Sequence, residues 1–261
     1  MHRAKGSKSR DISCSRAVTD RVVAIARAIH TDRYPGAAVA FAAGSILRGE
    51  GTRYSDLDLV VVFPVLRNAY RESFSIDGVP VEAFVHDPET LEYFCVDVDR
   101  PCGIPALAQM VLEGLEIPEP NDLSNALKDR ARSFIEAGPP ALEGDVEQRM
   151  RYAVTDLLDD LRAPRSRDEL LGAGSRLFET LADYYLRSQG LWSARGKAIA
   201  RALQRADPAI AANYSRCFDA LFSQGDVGPV IQLTEHLLAP RGGALFDGYK
   251  ADAPPEWRRR R

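Results

Sequence analysis

Short apolar runs, either continuous or alternating with polar residues, dominate residues 39–85, and turn-forming residues separate them. Runs of this length and pattern are typical of β-strands. The pattern predicts four strands, at residues 39–43, 55–63, 70–76 and 79–85. Between the last two, Asp77-Gly78 is the dipeptide that favours a tight hairpin turn.

Elsewhere in the chain apolar residues recur at the spacing of an amphipathic helix. A first helix is predicted at residues 17–30, before the strands. From residue 89 onward the pattern predicts helices alone, at residues 90–98, 104–115, 121–137, 143–161, 168–189, 193–206, 207–224 and 227–238.

This change of pattern predicts an α+β protein built in two parts. A mixed sheet flanked by helices forms an N-terminal domain at residues 15–117, and a C-terminal helical bundle follows at residues 118–245. Residues 1–14 and 246–261 are predicted to be tails, the first of them flexible and basic. Gly138-Pro139-Pro140 is the best candidate for a linker, and the boundary is placed near residues 117–141.

Two acidic residues stand at the start of the second strand, Asp56 and Asp58. Residues i and i+2 of a strand point to the same face, so these carboxylates project side by side while Leu57 and Leu59 point into the core. Two neighbouring carboxylates repel each other unless a cation lies between them. Hard oxygen ligands in a small gap suit Mg²⁺, which also takes phosphates and waters.

The first strand leads directly into Gly44-Ser45, which is predicted to open a short helix. A helix N-terminus offers free N–H groups and partial positive charge, and glycine lets the backbone approach a ligand closely. The sequence therefore predicts an anion site beside the metal ligands, of the kind that binds phosphates.

The residues between 44 and 59 read G-S-x-x-R-G-x-x-T-x-x-S-D-x-D-L. This order resembles the signature of the nucleotidyltransferase (DNA polymerase β-like) superfamily, and most of all its minimal and aminoglycoside-type members with a helical C-terminal domain. The resemblance is close over residues 44–59 and loose over residues 37–86. It implies an enzyme of the EC 2.7.7 type that moves a nucleoside monophosphate from ATP or another NTP to a hydroxyl and releases pyrophosphate.

The resemblance also implies two Mg²⁺ ions, bound by Asp56, Asp58 and a third carboxylate on a neighbouring strand. Glu82 is the candidate, since a glutamate inside an apolar strand is costly unless it is paired or binds a metal. The alternative is a solvent-facing glutamate on an edge strand. Glu82, or a carboxylate of the helical half, would accept the proton of the attacking hydroxyl.

Further residues of the motif are implied to contact the nucleotide, namely Gly44, Ser45 and Ser55. Arg48 either contacts phosphate or pairs with a carboxylate that braces the turn. His86 follows the fourth strand, and a turn role is favoured for it over a catalytic one.

Residues 192–197 resemble a W-x-x-x-x-K segment whose lysine reaches the nucleotide phosphates in several small nucleotidyltransferases. Lys197 would take that role here. A lysine at a helix N-terminus is disfavoured by the helix dipole, which hints at an anion nearby. The alternative is an ordinary surface lysine.

Composition narrows the choice of acceptor. The chain has 261 residues and a net charge of −3, whereas proteins that bind nucleic acid are usually basic. A small-molecule acceptor is therefore favoured over a protein, and an RNA 3′ end comes third. The four cysteines form no zinc motif, and the chain shows neither a signal peptide nor an apolar run of membrane-spanning length, so a cytoplasmic enzyme is expected.

The helical half offers two candidate acceptor features. Asp156 and Asp160 stand four residues apart and share one helix face, where they would suit a cationic acceptor such as an aminoglycoside; exposure to solvent is the favoured alternative. Tyr184 and Tyr185 could stack on a base or belong to the core. A non-catalytic nucleotide-binding module is a further alternative for the whole chain.

Overall fold

The computed structural model describes residues 8–254 and 257, with side chains from residue 20 onward. The chain divides into two compact units, Met1–Ala137 and Gly138–Arg261. The predictions for residues 1–7, 255–256 and 258–261 fall outside the described residues. None of the described helices is both long and apolar enough to cross a membrane.

Unit 1 is built on a five-stranded mixed sheet in the order β3-β4-β2-β1-β5. β2 runs parallel to β4, whereas β1 is antiparallel to both of its neighbours and β3 is antiparallel to β4. The strands are β1 Val39–Ala43, β2 Leu57–Val62, β3 Tyr70–Ile76, β4 Val79–His86 and β5 Leu115–Ile117. The first four were predicted. The fifth has three residues, too few for a periodic signal, and the predicted helix at residues 104–115 overlaps only its first residue, Leu115.

Helices cover both faces of the sheet in unit 1. Helix α1 (Lys8–Asp32) packs on one face, where its Val22 and Ile29 meet Leu57 and Leu59. On the other face, Val39, Phe41, Val60 and Val62 pack against later helices. These are α2 Pro88–Tyr93, a π-helical segment Phe94–Asp99, α3 Arg100–Cys102, α4 Ala106–Glu113 and α5 Asp122–Glu136.

Two predicted boundaries in unit 1 need correction. The backbone of α1 is already helical at Lys8, within the segment predicted as a flexible tail. Helix α5 belongs to unit 1 rather than to the helical half, because its Leu127 and Ala131 pack in the same core as Val39. The division after Ala137 lies within the boundary range of residues 117–141 and directly before the linker candidate Gly138-Pro139-Pro140, although it comes later than residue 117, the predicted end of the N-terminal domain. Pro118 and Pro120 interrupt the chain without ending the unit.

Unit 2 is helical, and all five helices predicted for it are present. They are α6 Gly144–Arg162, α7 Arg167–Ser188, α8 Ala198–Ala206, α9 Pro208–Gln224 and α10 Gly228–Leu238. Beyond them, the predicted tail partly packs on α6, since Tyr249 stacks on Tyr152 with a centroid distance of 4.1 Å. The amide of Leu245 also donates to the Thr155 hydroxyl.

Candidate metal and nucleotide site

The strand register places two carboxylates directly beside each other. Asp58 on β2 is the register partner of Glu82 on the parallel strand β4. Leu57 and Leu59 are fully buried on the opposite face of β2, as the alternation predicted. Asp58 therefore projects from the face that also carries Val60, near the point where β1 ends.

Asp56 completes a cluster of three carboxylates with Asp58 and Glu82. One ligand atom from each residue lies within 4.8 Å of the other two, and all three residues are partly buried. No other group of three potential ligand residues comes together in this way among the residues that the structure describes. Three carboxylates at this spacing can hold a cation between them, and an all-oxygen ligand set suits Mg²⁺.

Gly44 lies against this cluster and leaves no room for a side chain. Its φ of +97° is in the left-handed region, and a Cβ placed there would lie 2.5 Å from Oδ2 of Asp58. A real Cβ would have to push the Asp58 carboxylate aside. The glycine thus permits both the turn after β1 and the close approach of the backbone to a predicted metal ligand.

The predicted helix after Gly44 does not form. Residues 44–49 make a hydrogen-bonded turn instead, in which the Glu50 amide donates to the Ser45 carbonyl over 2.9 Å. Gly49 adopts a φ of +74°, which a continuing right-handed helix does not accommodate. An anion bound here would contact loop amides and hydroxyls, and the helix dipole contributes nothing.

Hydroxyl groups hold this loop together. The Ser45 hydroxyl donates to Oγ of Ser55 over 3.0 Å, and the Thr52 amide donates to the same oxygen over 2.9 Å. Ser55 directly precedes Asp56, so these hydrogen bonds link the turn after β1 to the start of the segment that carries the aspartates. Thr52 was not singled out from the sequence, although it belongs to the motif and the spacing of the motif could have indicated it.

Arg48 pairs with carboxylates on its own loop and on α4. Its guanidinium lies 3.2 Å from Glu50 and 3.6 Å from Glu113. Of the two roles left open by the sequence, the contacts correspond to bracing of the turn.

Arg71 is a site neighbour that the sequence did not reveal. It stands on β3 and its guanidinium donates to Oε1 of Glu82. The same guanidinium lies 5.0 Å from the ring centroid of Phe84. The hairpin register that brings Arg71 to this position was predictable from Asp77-Gly78, and an arginine on the face shared with Glu82 was the available signal.

His86 lies at the far end of β4 from the cluster. Its register partner is Val62, four residues along β2 from Asp58, which corresponds to about 13 Å. The imidazole is buried against Phe94, and burial lowers its pKa below the usual value. His86 thus takes no direct part in the carboxylate site.

Unit 2 contains the residues that the sequence offered as phosphate or acceptor contacts. Lys197 is exposed and immediately precedes α8, with no side-chain hydrogen bond to cap that helix. Asp156 and Asp160 are both exposed on α6. Tyr184 and Tyr185 are buried in the core of the bundle, which matches the core alternative for both residues.

A match to a family model supports the interpretation of the motif. The family model described as "Nucleotidyltransferase domain" matches residues 25–95. The chain is also similar to the crystal structure of a nucleotidyltransferase-like protein from Exiguobacterium sibiricum 255-15. That similarity has 16% identity and a TM-score of 0.44, over 83% of this chain and 75% of the other. No sequence match was found among curated proteins.

The matched residues span β1 to β4 and contain Gly44, Asp56, Asp58 and Glu82. The domain type supports nucleotide transfer as the general activity of the chain. Residues 25–95 of the chain thus carry a domain that matches the nucleotidyltransferase domain family.

Proposed function

We propose that the chain is a Mg²⁺-dependent nucleotidyltransferase that moves AMP from ATP to a hydroxyl of a small molecule such as an aminoglycoside-like compound. The observation that carries the proposal is the cluster of Asp56, Asp58 and Glu82 against the side-chain-free surface of Gly44. Three oxygen ligands and a close backbone approach are what a metal-bound triphosphate needs.

In this proposal Asp56 and Asp58 would bind two Mg²⁺ ions, and Glu82 would be a further ligand of one of them. Bound there, Mg²⁺ neutralises charge on the phosphates and lowers the pKa of the acceptor hydroxyl. Gly44 admits the phosphates to the loop, and the Ser45 hydroxyl turns from Ser55 to donate to a phosphate oxygen. Glu82, or a carboxylate of unit 2, accepts the proton of the attacking hydroxyl.

Lys197 is proposed as a second phosphate ligand. Its support is the resemblance of residues 192–197 to the lysine segment of small nucleotidyltransferases, together with its exposed ammonium group. We expect Lys197→Ala to raise KM for ATP about ten-fold or more while the melting temperature stays within a degree or two, because an exposed lysine with no capping role adds little stability. Lys250→Ala, which removes another exposed lysine of unit 2, is the matched control.

The proposal of a cationic small-molecule acceptor rests on the charge of exposed residues in unit 2. Asp156 and Asp160 are exposed on one face of α6, where a cationic small molecule would find two carboxylates. A net charge of −3 disfavours RNA as the acceptor. An AMP-transferring enzyme that modifies a protein is the alternative, and a non-catalytic nucleotide-binding module is the second. We expect the enzyme to act in the cytosol, where its cysteines would stay reduced.

The activity is tested with Asp56→Asn and Asp58→Asn. Each variant should lose at least 100-fold in Mg²⁺-dependent pyrophosphate release, since a neutral amide is a poor ligand for Mg²⁺. Asp129→Asn, an exposed aspartate of α5 paired with Arg132, should keep full activity. Wild-type turnover in both site variants would refute the metal-dependent mechanism. ATP binding without any turnover in the native protein would favour the non-catalytic module.

The acceptor is tested separately. Native enzyme, labelled ATP and a panel of aminoglycosides and other polyols are incubated with Mg²⁺, and adducts are identified by mass spectrometry. We expect AMP on a small cationic acceptor, and Asp156→Asn with Asp160→Asn should raise KM for that acceptor. An adduct found on protein alone would replace the small-molecule acceptor with the protein alternative.

A further inference from the structure

We propose that Arg71 is a positioning residue of the metal site, which holds the Glu82 carboxylate in the orientation needed to bind a cation together with Asp56 and Asp58. The inference deepens the proposed function and rests on it, since it presumes that the three carboxylates bind a divalent metal. Arg71 itself lies outside the ligand set.

The sheet places Arg71 beside Glu82 by register. In the antiparallel pair of β3 and β4, Ser73 is opposite Glu82 and Arg71 is opposite Phe84. Residues two apart in a strand share a face, so Arg71 lies diagonally next to Glu82 and on the same side of the sheet. The contact therefore depends on the pairing of β3 with β4.

Both sides of the guanidinium are engaged. It donates to Oε1 of Glu82, and its central carbon lies 5.0 Å from the centroid of the Phe84 ring. An arginine above an aromatic ring is held in place by the ring face. Arg71 thus donates to Glu82 from a side chain that packs on Phe84, although 58% of that side chain is exposed on the edge strand of the sheet.

A carboxylate has two oxygens, each with accepting capacity, so Glu82 can accept from Arg71 and also bind a metal. Oε1 of Glu82 is bound to Arg71, and a ligand atom of Glu82 lies within 4.8 Å of ligand atoms of Asp56 and Asp58. A hydrogen bond to a ligating carboxylate fixes its orientation, and loss of such partners typically weakens metal binding 10- to 100-fold. The arginine also offsets part of the repulsion among the three carboxylates.

Arg71 could also weaken metal binding by competing for Glu82, and the test must distinguish the two roles. If Arg71 merely competed with the metal for Glu82, its removal would free the carboxylate and tighten metal binding. If it positions Glu82, its removal weakens metal binding. The direction of the change in metal affinity therefore distinguishes the two roles.

Unit 1 contains a matched control for this ion pair. Arg33 binds Glu72 over 2.5 Å and lies 4.2 Å from the centroid of the Phe74 ring. This is the same Arg–Glu–Phe arrangement, with Glu72 and Phe74 on the other face of β3. Arg33→Met removes a comparable ion pair without touching Glu82.

The experiment measures Mn²⁺ affinity of the full chain by calorimetry for wild type, Arg71→Met, Arg71→Lys and Arg33→Met. We expect Arg71→Met to weaken Mn²⁺ binding about ten-fold, Arg71→Lys to recover part of the loss, and Arg33→Met to bind as wild type does. In turnover assays, excess Mg²⁺ should restore the activity of Arg71→Met.

Three outcomes would overturn the inference. Unchanged or tighter binding by Arg71→Met would show that the arginine does not position Glu82. An equal loss in Arg33→Met would show a general effect of destabilising unit 1. If wild type binds no Mn²⁺ at all, the proposed function fails first, and the role of Arg71 fails with it.

Discussion

At the scale of single residues, the site depends on the absence of a side chain as much as on the carboxylates. Gly44 has a positive φ, and a Cβ would lie 2.5 Å from Asp58 Oδ2. The motif Gly-Ser before two aspartates was visible in the sequence. The close approach of Gly44 to Asp58 was not predicted, because the loop between β1 and β2 separates the two residues in sequence.

Gly44→Ala should impair the site more than the fold. A left-handed alanine costs about 1–2 kcal/mol of the free energy of unfolding. Only at position 44 does the new methyl group also displace Asp58, so Mn²⁺ affinity should fall about ten-fold or more. Gly36→Ala provides the control, since Gly36 has a φ of +92° and a Cβ there meets nothing within 4 Å. Equal Mn²⁺ affinity in both variants would contradict the steric explanation.

At the scale of elements, the start of α2 shows how local sequence fixes a boundary. Asp87 accepts a hydrogen bond from the Thr90 amide, and the Thr90 hydroxyl closes a capping box with the Asp87 amide. The Asp87 side chain also accepts from the Leu66 amide, which links the helix to the loop after β2. These hydrogen bonds, that of the Thr90 amide first, hold the pKa of Asp87 below its usual value.

Asp87→Asn should change the pH dependence of stability. Because the folded pKa is lower than the unfolded value of about 3.9, ionised Asp87 stabilises the fold above pH 4 and loses this contribution as the pH falls through the folded pKa. The variant should therefore be less stable than wild type at pH 7, and the difference should shrink towards pH 3. Urea unfolding followed by circular dichroism at both pH values measures this. A constant difference would argue against the ionised cap.

The helices and strands that were predicted correctly have a clear periodic pattern of apolar residues. Tyr70–Ile76 matches its predicted bounds, and the five helices of unit 2 follow the predicted apolar spacing. The errors in predicted secondary structure occur where a segment is too short for a periodic pattern or where its residues fit more than one structure. The turn after Gly44 contains no residue that forbids a helix until Gly49 adopts its positive φ, and β5 has only three residues beside a helix.

At the scale of the whole molecule, the two units have separate apolar cores. Val60 belongs to a core of unit 1, whereas Leu177 belongs to the core of unit 2. Both tryptophans, Trp192 and Trp257, lie in unit 2. Tryptophan fluorescence therefore reports on the unfolding of unit 2, and Mn²⁺ binding reports on the integrity of the carboxylate site in unit 1.

Core substitutions should separate these two signals. Leu177→Ala should destabilise unit 2 by about 2–5 kcal/mol and shift the fluorescence transition to lower urea. Val60→Ala should lower the urea concentration at which Mn²⁺ binding is lost, with a smaller effect on fluorescence. Identical shifts of both signals in both variants would show that the units unfold as one cooperative body.

The sequence by itself determined the type of domain, the four strands that build the site and the two aspartates at the start of β2. These follow from short-range periodicity and from a motif confined to residues 44–59, both of which are local in the chain. It also suggested Glu82, through an unusual glutamate in an apolar strand.

Only the tertiary structure decided which residues meet. The β2–β4 register brings Glu82 beside Asp58, and the core places α5 in unit 1. These are long-range pairings set by packing and strand order, which the periodicity of a single segment does not encode.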